Sequence, residues 1–274
     1  MCTVKSLQQQ MISILKDKVE SPSKEAIRLI MHILGVDEIW IMLHQDEMIS
    51  NVAKGIDLAK KRAEHIPLEY LTKTVSFYSE NFFIDYGALI PRPETELLID
   101  EVVSTIGNLD ADINIMEVGV GSGVVSIILA KKLKNANIFA VDISDDALKI
   151  AQKNIALFGM QDKIKLYKSS FLDDMPKSID YVVSNPPYIA YDAKLEKNLD
   201  YEPKEALFGG NIGCEILLEL LEQCFFQRMK HVSCEMGYDQ KEAVETFVSE
   251  HNGLDVRFYK DLSHHDRGFT ITRR

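Results

Sequence analysis

The sequence contains no run of roughly 18 uncharged residues, the length a membrane span requires. Its longest clear apolar stretch, Val118 to Ala130, is broken by glycines. A basic-then-apolar amino-terminal signal is missing too, because Gln8-Gln9-Gln10 and Asp17 interrupt the pattern. The expected location is therefore the cytoplasm, or an organelle interior. Cysteine is scarce: Cys2, Cys214, Cys224 and Cys234 form no C-x-x-C pair and are too dispersed for a disulfide frame or a zinc site. Positive charge is in deficit, with 31 basic against 42 acidic residues and a net charge of −11. Residues 1–84 hold 10 basic and 11 acidic groups, so the imbalance lies in residues 85–274, with 21 and 31. Binding of duplex nucleic acid draws its affinity from phosphate neutralisation, so no direct nucleic-acid footprint is expected.

What is present reads as two architectures joined by a stiff connector. Residues 1–66 are helical in pattern. Ser21 and Pro22 open a helix whose Ala26, Ile27, Ile30, Met31 and Leu34 make one stripe, with Gly35 as its stop. Ile49, Val52, Ala53, Ile56, Ala59 and Ala63 make a second stripe that ends at Pro67. Thr74–Phe77 and Asn81–Ile84 form a predicted hairpin through Tyr78-Ser79-Glu80. Ile90-Pro91-Arg92-Pro93-Glu94-Thr95-Glu96 follows, with Pro93 placed to start a helix running to about Ile106. The expected divisions are residues 1–72 as a helical docking domain, 73–106 as hairpin and linker helix, and 107–274 as an α/β domain.

In that α/β domain strands and helices alternate, which predicts a mostly parallel sheet. The strand candidates are Ile113–Val118, Asn137–Val141, Ile164–Tyr167, Ile179–Ser184, His231–Glu235, Val256–Tyr259 and Phe269–Thr272. Helices are expected at Val124–Leu133, Asp145–Phe158 and around Glu215–Phe226. The final two strands have only Asp261 to Gly268 between them, too short for a crossover helix, so they should pair antiparallel.

Two motifs carry chemistry. Glu117-Val118-Gly119-Val120-Gly121-Ser122-Gly123 closes one strand and opens a helix. Glycines there let a ligand approach the backbone, and the helix start offers unpaired N–H groups. The G-x-G-x-G spacing differs from the G-x-G-x-x-G of dinucleotide sites. It suits a ligand with an amino-acid carboxylate and a ribose but no pyrophosphate, as in S-adenosyl-L-methionine. Asp142 ends the next strand, where an acid can accept both ribose hydroxyls. Phe171, after the third strand, is placed to pack on an adenine ring.

Asn185-Pro186-Pro187-Tyr188 follows a buried strand at its carboxyl end, where open α/β sheets bind ligands. The prolines stiffen the turn, so the side-chain oxygen of Asn185 and the carbonyl of Pro186 form a fixed pair of acceptors. Such a pair grips a planar –NH2 group, one acceptor per hydrogen, and Tyr188 adds a flat face for stacking. His264-His265-Asp266 has neither helical spacing nor a third ligand nearby and reads as a solvated turn, so no metal is expected.

The chain resembles the PrmC/HemK family, the glutamine methyltransferases of class-I peptide-release factors. The matching segments include residues 66–71, the proline-rich connector, the glycine loop, Val183–Ile189, Tyr201-Glu202-Pro203, Leu207-Phe208-Gly209-Gly210, residues 235–240 and Lys260-Asp261-Leu262. The resemblance implies a seven-stranded Rossmann-like class I methyltransferase sheet behind a small helical domain. It also implies S-adenosyl-L-methionine as donor, S-adenosyl-L-homocysteine as product and the glutamine of a Gly-Gly-Gln loop as acceptor. By position, Gly119, Val120, Gly121, Ser122, Gly123, Asp142, Phe171 and Asn185 would hold the donor. Asn185, Pro186, Pro187 and Tyr188 would receive the glutamine, with Asn185 and Pro186 catalytic. The sequence departs from the family with Glu117 and Val120 where Asp and Thr are usual, Phe171 where Trp is common, and Gln227-Arg228-Met229-Lys230 where a Pro-Gly-Gly turn often stands. An amino-group methyltransferase acting on adenine or guanine in RNA or DNA would use the same tetrapeptide and is the rival reading.

Overall fold

A computed structural model describes residues 1–171 and 178–274. The chain divides into two compact units, residues 1–74 with 195–201, and residues 75–194 with 202–274.

The first unit is a small helical bundle. It contains β1 (Cys2–Thr3), α1 (Val4–Leu15), α2 (Pro22–Leu34), α3 (Glu38–Leu43), β2 (Met48–Ile49), α4 (Val52–Ala63) and α5 (Leu68–Thr72). Its core is Val4, Leu7, Met11 and Leu15 packed on Ala26, Leu29, Ile30 and Ile33, with Leu58 and Ala59 closing it. The seam of α2 is rotated from the expected stripe: Leu29 and Ile33 are buried, while Ile27, Met31 and Leu34 flank them half-buried. In α4 the buried residues are Gly55, Leu58 and Ala59, and Ala53 is exposed. Both apolar arcs are wide, and packing against α1 selects their centre rather than their edge. Arg62 holds Glu25 through two bonds, at 2.6 and 3.1 Å. The antiparallel pair β1–β2 was not legible, because two-residue strands have no period to read.

The second unit opens with β3 (Thr74–Phe77) and β4 (Glu80–Phe83), joined by Tyr78 and Ser79 at φ 53° and 61°. Positive φ at both turn positions matches the twist of a tight hairpin. The Tyr78 amide donates to Glu96 Oε1 at 2.7 Å, which ties the turn to the next helix. That helix, α6 (Thr95–Ile106), starts two residues later than Pro93 alone implies. Thr95, Glu96 and Leu97 donate to the carbonyls of Arg92, Pro93 and Glu94, so a tight i to i+3 turn leads into it.

The α/β layers follow: β5 (Ile113–Val118), α7 (Val124–Lys132), β6 (Ala136–Asp142), α8 (Asp145–Leu157), β7 (Ile164–Lys168), β8 (Tyr181–Ser184), β9 (Ile189–Ala190), β10 (Phe208–Gly210), α9 (Glu215–Phe226), β11 (His231–Glu235), α10 (Lys241–Glu250), β12 (Leu254–Lys260) and β13 (Asp266–Arg273). Seven of these strands form one sheet in the order β12-β13-β11-β8-β5-β6-β7. Strands β11, β8, β5, β6 and β7 are parallel; β13 inserts antiparallel between β11 and β12, as the short connection requires. Helix α7 is apolar all round, with Val124 to Ala130 buried, because it lies between the sheet and neighbouring helices. The order reverses at β5, where β6 lies on one side and β8 on the other. That switch point opens a crevice beyond the strands' carboxyl ends. Among the described residues no helix is long and apolar enough to cross a membrane.

Candidate active site

A cavity of about 400 Å³ lies in that crevice. Its wall includes Gly119, Val120, Gly121 and Ser122 after β5, Asp142 after β6, Phe171, and Asn185, Pro186 and Pro187 after β8. Nine of the eleven expected site residues therefore converge, and two do not line it. Gly123 stands behind the wall as the cap of α7, at φ 83°; a Cβ there would lie 3.3 Å from Ala151 Cβ, so its bareness serves the approach of α7 to α8. Tyr188 is also off the wall. The chain has turned toward β9 by that point, and its side chain faces the charges of Glu235, Arg267 and Arg92. The aromatic rings on the wall beyond the prolines are Phe208 and Tyr191, the latter 63% exposed.

The glycine loop is held from both ends. The amides of Gly119 and Val120 both donate to the Val141 carbonyl at 2.9 Å, and Gly121 donates to Asp142 Oδ2 at 2.9 Å. Asp142 Oδ1 accepts from Ser144 N at 2.9 Å, which leaves a lone pair on each oxygen for a ligand. Burial raises the Asp142 carboxyl above the usual range, against the three backbone amides that favour its charge. Glu117 lies beneath the loop, 3% exposed, with Oε2 accepting from both the amide and the hydroxyl of Ser126. Burial pushes its carboxyl up to about 8. The acidic and basic side chains on the described wall, Glu117, Asp142 and Glu205, are all carboxyl groups, and Glu117 holds its proton near neutrality, so no cation there opposes a ligand carrying positive charge.

The proline corner is anchored just as firmly. Ser184 Oγ donates to the Val118 carbonyl at 2.8 Å, which fixes β8 to β5 at the crevice. Asn185 Nδ2 donates to Thr95 Oγ1 at 3.1 Å, and Thr95 Oγ1 donates to Glu235 Oε2 at 2.7 Å. Thr95 and Glu235 are buried, and desolvation pushes the Glu235 carboxyl up to about 7. Gln240 accepts from Gly237 N and donates to the Tyr188 carbonyl, at 3.0 and 3.1 Å. Gly209 is bare because β10 passes close: a Cβ would sit 2.4 Å from the Pro187 carbonyl oxygen and 2.1 Å from that of Gly213.

Two further residues set the walls. Glu202, 3% exposed, accepts from Ile90 N at 2.9 Å and from Arg92 Nη2 at 2.5 Å, so it ties the proline-rich connector to the loop after the corner. Asn154, fully buried on α8, accepts from Phe83 N and donates to the carbonyls of Phe83 and Ser122, each at 2.8 Å. It joins the hairpin to the glycine loop. Thr95, Glu202 and Glu235 lie in segments that carry the family resemblance, yet the sequence assigned them no role. Asn154 left one signal, a polar side chain among the buried Ala147, Ile150, Ala151 and Ile155 of its helix. The turn at His264-His265 is organised by Asp261 Oδ1, which accepts from Ser263 N and His265 N. Among the described residues, no group of three or more His, Cys, Asp or Glu could hold a metal ion.

A seven-stranded sheet with β13 inserted antiparallel, and a glycine loop at the switch point, define a Rossmann-like class I methyltransferase fold. The hMettl16 catalytic domain, solved in complex with MAT2A 3'UTR hairpin 6, shares that fold at a TM-score of 0.59 and 15% identity, over 79% of this chain and 82% of that one. The family model for the methyltransferase small domain matches residues 93–202, and that for the PrmC N-terminal domain matches residues 6–72. A release factor glutamine methyltransferase from Clostridium botulinum is 34% identical over 266 residues, 92% of each chain. The chain belongs to the release factor glutamine methyltransferase family. It is also 31% identical over 302 residues to a bifunctional methyltransferase from Rickettsia conorii, covering 97% of this chain and 57% of that longer protein.

Proposed function

We propose that the protein transfers a methyl group from S-adenosyl-L-methionine to the side-chain amide nitrogen of the glutamine in the Gly-Gly-Gln motif of class-I peptide chain release factors, in the cytoplasm. One observation carries the reading. Asn185 Nδ2 donates one of its hydrogens to Thr95, which turns Oδ1 away from Thr95, and both Asn185 and Pro186 line the cavity. No hydrogen bond from a described residue occupies Asn185 Oδ1 or the Pro186 carbonyl oxygen. Two acceptors held by a rigid corner match the two hydrogens of a primary amide. Family membership supplies glutamine as the amide and a release factor as its bearer.

The cofactor, when bound, supplies an electrophilic methyl on a cationic sulfur and leaves as neutral S-adenosyl-L-homocysteine. The glycine loop and Asp142 fit its amino-acid and ribose portions, Phe171 fits the adenine, and no cation on the described wall opposes its net positive charge. An amide nitrogen is a weak nucleophile because its lone pair is delocalised. Asn185 Oδ1 and the Pro186 carbonyl hold both N–H groups, favour pyramidal nitrogen as positive charge develops, and aim the lone pair. As the N–C bond forms and the S–C bond breaks, nitrogen becomes cationic, and its extra proton then leaves to solvent. No base is needed before transfer. Pro187, on the wall, and Tyr188, behind it, keep the corner rigid.

The test is mass spectrometry of a purified release factor incubated with the protein and S-adenosyl-L-methionine, with RNA and DNA as parallel acceptors. One added methyl on the Gly-Gly-Gln peptide is the expected result. Methyl transfer to nucleic acid alone would replace this reading with the base-methylating one.

A further inference from the structure

Thr95 Oγ1 stands between an acceptor and an amide, 2.7 Å from Glu235 Oε2 and 3.1 Å from Asn185 Nδ2. A hydroxyl has one proton, and an ionised carboxylate can only accept. The Thr95 proton therefore goes to Glu235, and an oxygen lone pair faces Asn185. Only the –NH2 end of an amide can meet a lone pair, so the carbonyl end must turn away.

We infer that Glu235 and Thr95 are positioning residues that form a polarity lock, which fixes the end of the Asn185 amide presented to the cavity. The inference rests on the proposed role of Asn185 as an acceptor. Packing cannot make this choice, because the two ends of a carboxamide have nearly the same shape. Reversed, the amide would aim N–H groups at the N–H groups of the substrate and grip nothing. The three residues sit where rigid elements end: Thr95 is the first residue of α6, Glu235 the last of β11, and Asn185 follows β8. Thr95 and Glu235 are 3% and 1% exposed, so water does not compete for these bonds.

The lock depends on the charge of Glu235. Burial and Glu94 oppose its ionisation; the Thr95 hydroxyl, Arg267 on β13 and Arg92 on the connector favour it. The Tyr188 and Tyr259 hydroxyls also lie in its field and remain protonated, since burial raises both. With the carboxyl at about 7, protonation below neutrality gives Glu235 a proton to donate. Thr95 can then donate to Asn185 instead, and the direction of the chain is lost.

The test compares Thr95→Val, Thr95→Ser and Glu235→Gln with the unmodified protein, by steady-state methyl transfer to a release factor across pH 6–8 and by calorimetric binding of S-adenosyl-L-methionine. Thr95→Val should lower kcat about 100-fold, the loss typical of one misdirected stabilising group. Cofactor affinity should stay nearly unchanged, and Thr95→Ser should recover most of the turnover. The unmodified protein should show a kcat that falls below pH 7, and Glu235→Gln should show a low kcat without that limb. Full turnover in Thr95→Val, or an unchanged acid limb in Glu235→Gln, overturns the lock. A readout independent of activity is the Asn185 side-chain amide resonance in 15N spectra, identified by its loss in Asn185→Ala. It should move on Glu235→Gln, and an unmoved resonance also overturns the lock. Absence of glutamine methylation by the unmodified protein would instead overturn the proposed function and leave the spectral comparison to decide the lock.

Discussion

The Gly121 amide donates to the carboxylate of Asp142 at 2.9 Å, so the residue suited to a ribose also shapes the loop that borders the cavity. Asp142→Asn presents an –NH2 to one of two backbone N–H groups and must lose a charge-assisted bond. Cofactor affinity should fall by about 10- to 100-fold, the worth of one such bond. Calorimetric titration with S-adenosyl-L-methionine checks it, and unchanged affinity would remove Asp142 from the binding site.

Glu117 makes stability depend on pH. Its folded carboxyl lies at about 8, above the ordinary value of 4.5, so between those values the native state holds a proton that the unfolded chain has released. Stability from this group therefore falls as pH rises from about 4.5 to 8 and stays low above that. Glu117→Gln keeps an acceptor for Ser126 and removes the buried charge. It should raise the melting temperature at pH 8.5, with a gain that shrinks toward pH 5.

Asn154 makes all three of its bonds to backbone groups. Asn154→Leu leaves an amide and two carbonyls unpaired inside the protein, at about 1–3 kcal/mol for each. Denaturant unfolding should show a loss of about 3 kcal/mol or more. Weakened cofactor binding should accompany it, because Ser122 belongs to the cavity wall.

Gly209→Ala should damage the proline corner while leaving the sheet intact. The added methyl meets the carbonyl oxygens of Pro187 and Gly213, which cannot swing aside as a flexible side chain would. A cost of about 1–3 kcal/mol and a backbone shift at Pro187 are expected. Turnover should fall more than cofactor affinity, since the glycine loop lies on another segment. Equal loss of both would assign Gly209 a purely structural role.

The α/β unit was legible because its signals are local: β-rich runs, helix caps such as Ser144, and a final connection too short for a helix. The cavity wall was legible where a motif sits at a strand's end, as with Gly119 to Ser122 and Asn185 to Pro187. What sequence alone missed is set by distant pairing. Nothing near Thr95 shows that its hydroxyl reaches Glu235, 140 residues on. The short pair β9–β10 left no periodic signal in the sequence, because its two and three residues are ordered by Gly209 lying against Pro187 rather than by alternation. The helical stripes of the first unit were read one position off centre, since a broad apolar arc does not declare which side its partner will take.

The carboxylate of Glu202 serves the amide of Ile90 and the guanidinium of Arg92, a position 110 residues earlier in the chain. A single substitution at either site leaves a charge or an amide stranded. These two positions cannot drift one at a time; swapping the Arg and the Glu together would still orphan the Ile90 amide, because Arg accepts no hydrogen bond. Any route by which the region around the corner diversifies must carry its far neighbour along, and engineered chimeras that join the connector of one homologue to the later loop of another should be compatible only where both halves of this pair come with them.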